Sequence, residues 1–244
     1  MIKAALAGVM ATVLSLVSPA INWGLSGYGN EAIPAAPAGA SQILSDFGGL
    51  YHLDTNEKQV LFTFDLGYEA GYTNEVLDVL KANNIKAIFF LAGNYLKETD
   101  LINRITSEGH MIGNHTDRHK DLPTLSDDKI QKDICDFQTK FCEKYPNAQC
   151  PVWFRPPKGR FDEKTLTIAK DCGLRCMMWS IATKDWGKEP INAEKTAQKI
   201  ADRIHPGAVI LSHITNAGTP KMLEVLIPLL TAKGYVTASP ESIQ

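Results

Sequence analysis

The chain of 244 residues predicts one α/β domain on a parallel sheet that closes, or nearly closes, into a barrel. Two observations carry that expectation. Short apolar runs alternate with amphipathic segments in about seven strand-then-helix units, and such alternation means parallel strands with helical crossovers covering the sheet. Polar residues of varied chemistry also recur just past the apolar runs, at the strand ends where barrels of this kind build their sites. A doubly wound open sheet is the alternative.

The elements follow from periodicity and punctuation. Strand Val60 to Phe64 leads to helix Asn74 to Ala82, strand Ala87 to Leu91 to helix Asp100 to Ser107, and short strand Met111 to Gly113 to helix Asp127 to Lys144. Strand Val152 to Phe154 precedes helix Glu163 to Asp171, with Asp162 as N-cap and Gly173 at the C′ position. Strand Arg175 to Trp179, helix Ala193 to Ile204, strand Ala208 to Leu211 and helix Lys221 to Ala232 complete the pattern. Ahead of it, residues 1–20 read as a signal peptide or an N-terminal anchor: Lys3 is the only charge before Glu31, and Ala4 to Val17 has the length of an export h-region. Residues 21–56 read as an N-terminal extension and linker, because the stretch from Ile33 to Ser41 is rich in turn formers and poor in large apolar side chains. The working domain is 57–240, outside the cytoplasm and secreted or associated with wall or membrane, with a membrane tether through the N-terminus open and a monomer expected.

A net charge of −2 gives no field for gathering phosphates, which argues against nucleic acid as a partner. The five cysteines are an odd number and lack C-x-x-C spacing. Cys142 and Cys150 flank a short turn and could bridge in an oxidising compartment; buried thiols are the equal alternative.

The strand ends hold Asp65 after LFTF, Asn114 and His115 after MIG, Arg155 after VWF, Asp185 and Trp186 after MMWSIA, and His213 after VILS. An acid, imidazoles, a guanidinium and an indole on one rim are the parts of a hydrolytic site for a sugar. In HTDRH, His115 and His119 stand at i and i+4, so on a helical turn they share a face and can ligate one metal. A divalent ion there would polarise a carbonyl and activate water. Leu66, next to Asp65, has no donor atom.

These residues resemble the polysaccharide deacetylase family, whose NodB-homology domain carries five ordered motifs. They stand here as TFDLGYE (63–69), HTDRH (115–119), RPPKGRF (155–161), KDW (184–186) and LSH (211–213), within a resemblance spanning about 58–240. GYEAGYT, EGHMIGNH, IHPGAVILSH and NWGLSGYG are most similar to the branch acting on muramic acid in peptidoglycan. The resemblance implies a distorted (β/α)7 barrel that hydrolyses N-acetyl groups of a cell-wall glycan. It implies Asp65 as base, His213 as acid, Arg155 orienting the base and Asp185 tuning His213. It also implies Trp186, Leu211 and Tyr68 on the substrate side, and His115 and His119 as ligands of zinc or a similar divalent ion. Leu66 departs from the pattern, standing where most members carry a further acidic ligand; Asp65, Glu69 or Asp117 are then the candidates to complete the shell. Deacetylation of chitooligosaccharide or xylan, a non-catalytic glycan binder, and a glycosidase pairing Asp65 with Glu69 or Asp185 are the other readings.

Overall fold

The computed structural model describes residues 19–187 and 189–243, so most of the expected export segment lies outside the described residues. The chain orders β1 (Ile21–Asn22), α1 (Ala40–Asp46), β2 (Gln59–Leu66), α2 (Thr73–Ala82), β3 (Ala87–Leu91), α3 (Thr99–Ser107), β4 (Met111–Asn114) and α4 (Asp127–Lys144). It continues with β5 (Trp153–Phe154), β6 (Arg160–Phe161), α5 (Glu163–Asp171), β7 (Arg175–Cys176), β8 (Ile181–Ala182), α6 (Ala193–Ala201), β9 (Ala208–His213), α7 (Thr219–Ala232) and β10 (Val236–Thr237).

Seven parallel strands curl in the order β7-β5-β4-β3-β2-β9-β8, and β10 pairs with the start of β2. The expected barrel is present with a seam. Its two edge strands, β7 and β8, are the two halves of one run over 175–182 that continues past the expected strand Arg175 to Trp179, and only Met177–Ser180 lies between them. One half pairs with β5 and the other with β9, so the sheet turns its last corner through the chain itself. Leu50 bridges Met177 and His52 bridges Ala208, tying the preceding segment to both sides of that seam.

Alternation along the strands sorts side chains into two layers. Phe62, Phe64, Phe89, Leu91 and Ile210 face the helices, packing with Val76, Leu80, Ile105, Phe137, Ile200 and Leu226. Leu61, Ile88, Phe90, Trp153 and Val209 fill the inside. Thr63 and Asp65 share the face of Leu61, as Leu211 and His213 share that of Val209, so the same alternation carries polar groups up the interior to the rim. Asp162 caps α5 as expected, accepting from the Thr165 N–H at 2.8 Å.

The segment read as a linker is laid on the domain instead. β1 pairs antiparallel with β6, Trp23 packs against Phe161 and Tyr51, and Ala40 and Leu44 are buried. Main-chain pairing and a few separated apolar side chains, Trp23 and Leu44 among them, make this attachment, of which the turn-rich stretch from Ile33 to Ser41 gives no sign. Disulfides join Cys135 to Cys172 and Cys142 to Cys150, and Cys176 is free and buried. No helix among the described residues is long and apolar enough to cross a membrane.

Candidate active site

β2 and β9 are neighbours, and Asp65 and His213 are register partners across them. Two residues separated by most of the chain therefore stand side by side on the interior face, at the C-terminal rim. They open into a cleft of about 1140 Å³ that is also lined by His115, His119, Tyr68, Trp186 and Leu211. Arg155 and Asp185 are fully buried behind that wall.

Arg155, at the end of β5, donates through Nη1 to Asp65 Oδ1 at 2.8 Å and to Thr63 Oγ1 at 2.9 Å, and through Nε to the Met177 carbonyl at 2.9 Å. Its guanidinium lies 4.0 Å from the centre of the Phe90 ring. Gly113, the register partner of Phe90, makes room for that ring, since a Cβ there would overlap it. Burial by itself would raise the Asp65 pKa, but the charge and hydrogen bond of Arg155, with the charge of His213, hold it below the usual carboxylate range. Asp65 is an ionised carboxylate.

His213 shows the reverse balance. Burial disfavours its charge, but the hydrogen bond from Nδ1 to Asp185 Oδ1, at 2.9 Å, and the Asp185 charge raise its pKa above the ordinary imidazole value. Asp185 is itself held in place, its Oδ2 accepting from the Ser212 hydroxyl and, at 2.8 Å, from the His213 N–H. With Nδ1–H committed to Asp185, Nε2 is the nitrogen left for the cleft.

The two histidines of HTDRH do come together, with ring centroids 4.9 Å apart, but not on a helical turn. Thr116 and His119 have positive φ, and the segment is a loop that bends the second ring back to the first. His115 donates from Nδ1 to the Arg155 carbonyl at 2.8 Å, which leaves its Nε2 lone pair toward Asp65 Oδ2 at 3.7 Å. Burial lowers its pKa to about 4, so the ring is neutral. That is the tautomer a metal ligand needs.

Neither Leu66, Glu69 nor Asp117 supplies a third ligand, which leaves only Asp65, the proposed base, beside the two histidines. Leu66 is fully buried on the helix side of β2, away from the cleft. The Glu69 carboxylate is occupied by Thr73 Oγ1, by the Tyr95 hydroxyl at 2.6 Å and by the Gly71 N–H at 2.6 Å, and Asp117 pairs with Lys140 at 2.7 Å. Among the described residues no group of three His, Cys, Asp or Glu side chains is placed to hold a metal ion. The donors fall short of the three protein ligands of a catalytic zinc. The same contacts remove the paired-carboxylate reading, since Glu69 is tied to the start of α2 and Asp185 lies behind His213.

Thr63, Phe90, Gly113 and Ser212 support this site and were not singled out from the sequence. Thr63 was within reach, being two residues before Asp65 on the same strand face. Phe90, Gly113 and Ser212 act through cross-strand and loop contacts that no local pattern reveals.

Residues 52–177 match the model of the family described as polysaccharide deacetylase. The chain is 35% identical to the peptidoglycan-N-acetylmuramic acid deacetylase PdaA of Bacillus subtilis over 239 residues, covering 96% of this chain and 89% of that protein. The solved structure of PdaA, described as a family 4 carbohydrate esterase, superposes with a TM-score of 0.84 at 33% identity, over 92% of this chain and 96% of that one. A family 4 carbohydrate esterase from Bacillus anthracis follows, with a TM-score of 0.77 at 32% identity and the same coverage. Likeness of this extent, in sequence and in fold together, means that the chain belongs to the polysaccharide deacetylase family.

Proposed function

We propose that the chain removes N-acetyl groups from N-acetylmuramic acid residues of peptidoglycan. Asp65 takes a proton from water as the water attacks the acetamide carbonyl, and His213 gives its proton to the nitrogen as the C–N bond breaks, releasing acetate and a free amine. Arg155 orients Asp65 and keeps it ionised; Asp185 keeps His213 protonated. Trp186 and Tyr68, both exposed at the cleft, offer flat apolar faces to sugar rings, and Leu211 borders the acetyl methyl. No step is assigned to a metal.

One observation carries the reading: Asp65, hydrogen-bonded to Arg155, and His213, hydrogen-bonded to Asp185, are register partners in one cleft. The muramic preference is supported by the likeness to PdaA. Work outside the cytoplasm is supported by the substrate and by the two disulfides. The incomplete donor set favours one second reading, a glycan binder without turnover. Acetate release from purified peptidoglycan, followed by mass analysis of the digested sugars, separates these. The proposal expects acetate in equal amount to new muramic amines. Amines confined to glucosamine would overturn the substrate, and binding without acetate would overturn the chemistry.

A further inference from the structure

The cleft has more cations than its acids can account for. Asp65 is matched by Arg155, Asp185 by His213 and Asp117 by Lys140. Lys158, Lys184, Lys199 and Arg203 also line it, and among the described residues none of these four makes an ion pair, although Lys58, Lys81, Lys132, Lys164 and Lys221 elsewhere on the surface all do. Other cations of the surface are unpaired as well, but singly; in a chain of net charge −2, four gathered on one cleft whose lining acids are already matched mark a local preference for anions.

The wall has an ordered part. Thr196, Lys199 and Arg203 follow at spacings of three and four, which brings them along one side of α6 and its C-terminal extension. The Arg203 guanidinium sits 4.7 Å above the Tyr28 ring, so the N-terminal segment holds it over the groove. Single charges spread along a groove, one of them a fixed planar guanidinium, suit separate planar carboxylates better than one concentrated phosphate.

We propose that Lys199 and Arg203, with Lys184 and Lys158 on the same cleft, form a subsite that binds carboxylates borne by the glycan. This rests on the peptidoglycan reading above, since lactyl and peptide carboxylates are then the groups supplied. The subsite makes the cleft select acidic strands over neutral N-acetylglucosamine oligomers.

The test is calorimetric binding of soluble peptidoglycan fragments, with carboxylates free or converted to methylamides, to the full chain in a slow His213→Gln background. Amidation is expected to weaken binding about tenfold. Adding Lys199→Gln and Arg203→Gln is expected to weaken binding of the free acid roughly five- to tenfold, as two exposed charge contacts would, and to erase the difference between the fragments. Equal affinity for both fragments, or equal loss on both in the variant, would overturn the subsite; inorganic phosphate binding there more tightly than the acidic fragment would overturn its assignment to carboxylate. Failure of the parent reading shows separately, as absence of acetate release by the unmodified chain from the same fragments.

Discussion

Asp185→Asn is the sharpest perturbation of the proposed proton relay, because the surroundings dictate how the amide must sit. Two donors, the Ser212 hydroxyl and the His213 N–H, converge on Oδ2, so the amide oxygen takes that place and the NH₂ takes the place of Oδ1. That NH₂ then faces His213 Nδ1 at the 2.9 Å now spanned by a charge-assisted bond. The imidazole has to accept there, its remaining proton moves to Nε2, and its cationic form loses its hydrogen-bonded counter-charge, with only the Asp65 charge left to favour it. A hydrogen bond to a charged group contributes about 1.5–3 kcal/mol, which at about 1.4 kcal/mol per factor of ten is roughly a 10- to 150-fold fall in kcat/KM. The sign with pH follows. His213 works protonated and its pKa is raised in the folded chain, so activity falls as pH rises through that value. Losing Asp185 moves this alkaline limb to lower pH, while the acid limb, set by the lowered Asp65 pKa, stays. Acetate release from peptidoglycan measured from pH 5 to 9 reads the alkaline limb. An alkaline limb that does not move, with kcat/KM at pH 8 within twofold of the parent, would refute the pairing.

Arg155→Met strands Asp65 in the interior, and breaking a buried pair from one side costs about 3–5 kcal/mol; urea melts should show that loss, with the acid limb of activity moving to higher pH, and unchanged stability would count against the pair. Leu66→Asp puts a carboxylate among Phe64, Leu91 and the helix layer, so it should lower stability by about 3 kcal/mol or more and create no tight zinc site; a variant that gained both zinc affinity by calorimetry and stability would show that this position turns toward the cleft. His110 and His115 are held down to about 4 by burial, against 6.5 when free. The unfolded chain therefore binds more protons between those values, and stability, complete above pH 6.5, should drain as pH falls through 4, by a few kcal/mol; melts with the same midpoint at pH 7 and pH 4.5 would contradict this.

Much of this architecture was legible in the sequence because burial in a parallel sheet leaves a regular trace. Strand Ala87 to Leu91 and helices Asp127 to Lys144 and Glu163 to Asp171 have the bounds that periodicity and capping assign. The strand-end rule found Asp65, His115, Arg155, Asp185 and His213, since parallel strands deliver their C-terminal residues to one rim. What was not legible depends on contacts between distant segments. The seam at Met177–Ser180 arises because one apolar run serves two neighbours. The docking of residues 21–56 rests on the pairing of β1 with β6 and on a few separated apolar side chains, Trp23 and Leu44 among them, which leave no periodic signal. HTDRH reads as a helical turn by spacing, and only the positive φ of Thr116 and His119 shows that a loop brings the rings together. Leu66 raised a question about metal from its chemistry; its direction, toward the helices, follows from strand alternation once Asp65 is taken to face inward.

The account depends on Asp65 as base and His213 as acid in one cleft. The most direct measurement is the single-turnover rate of acetate release from peptidoglycan by Asp65→Asn and by His213→Gln, each checked for an unchanged fold by circular dichroism. Both should fall by about 10²-fold or more, with glycan binding retained. A folded variant of either kind that deacetylates at the parent rate would contradict the account.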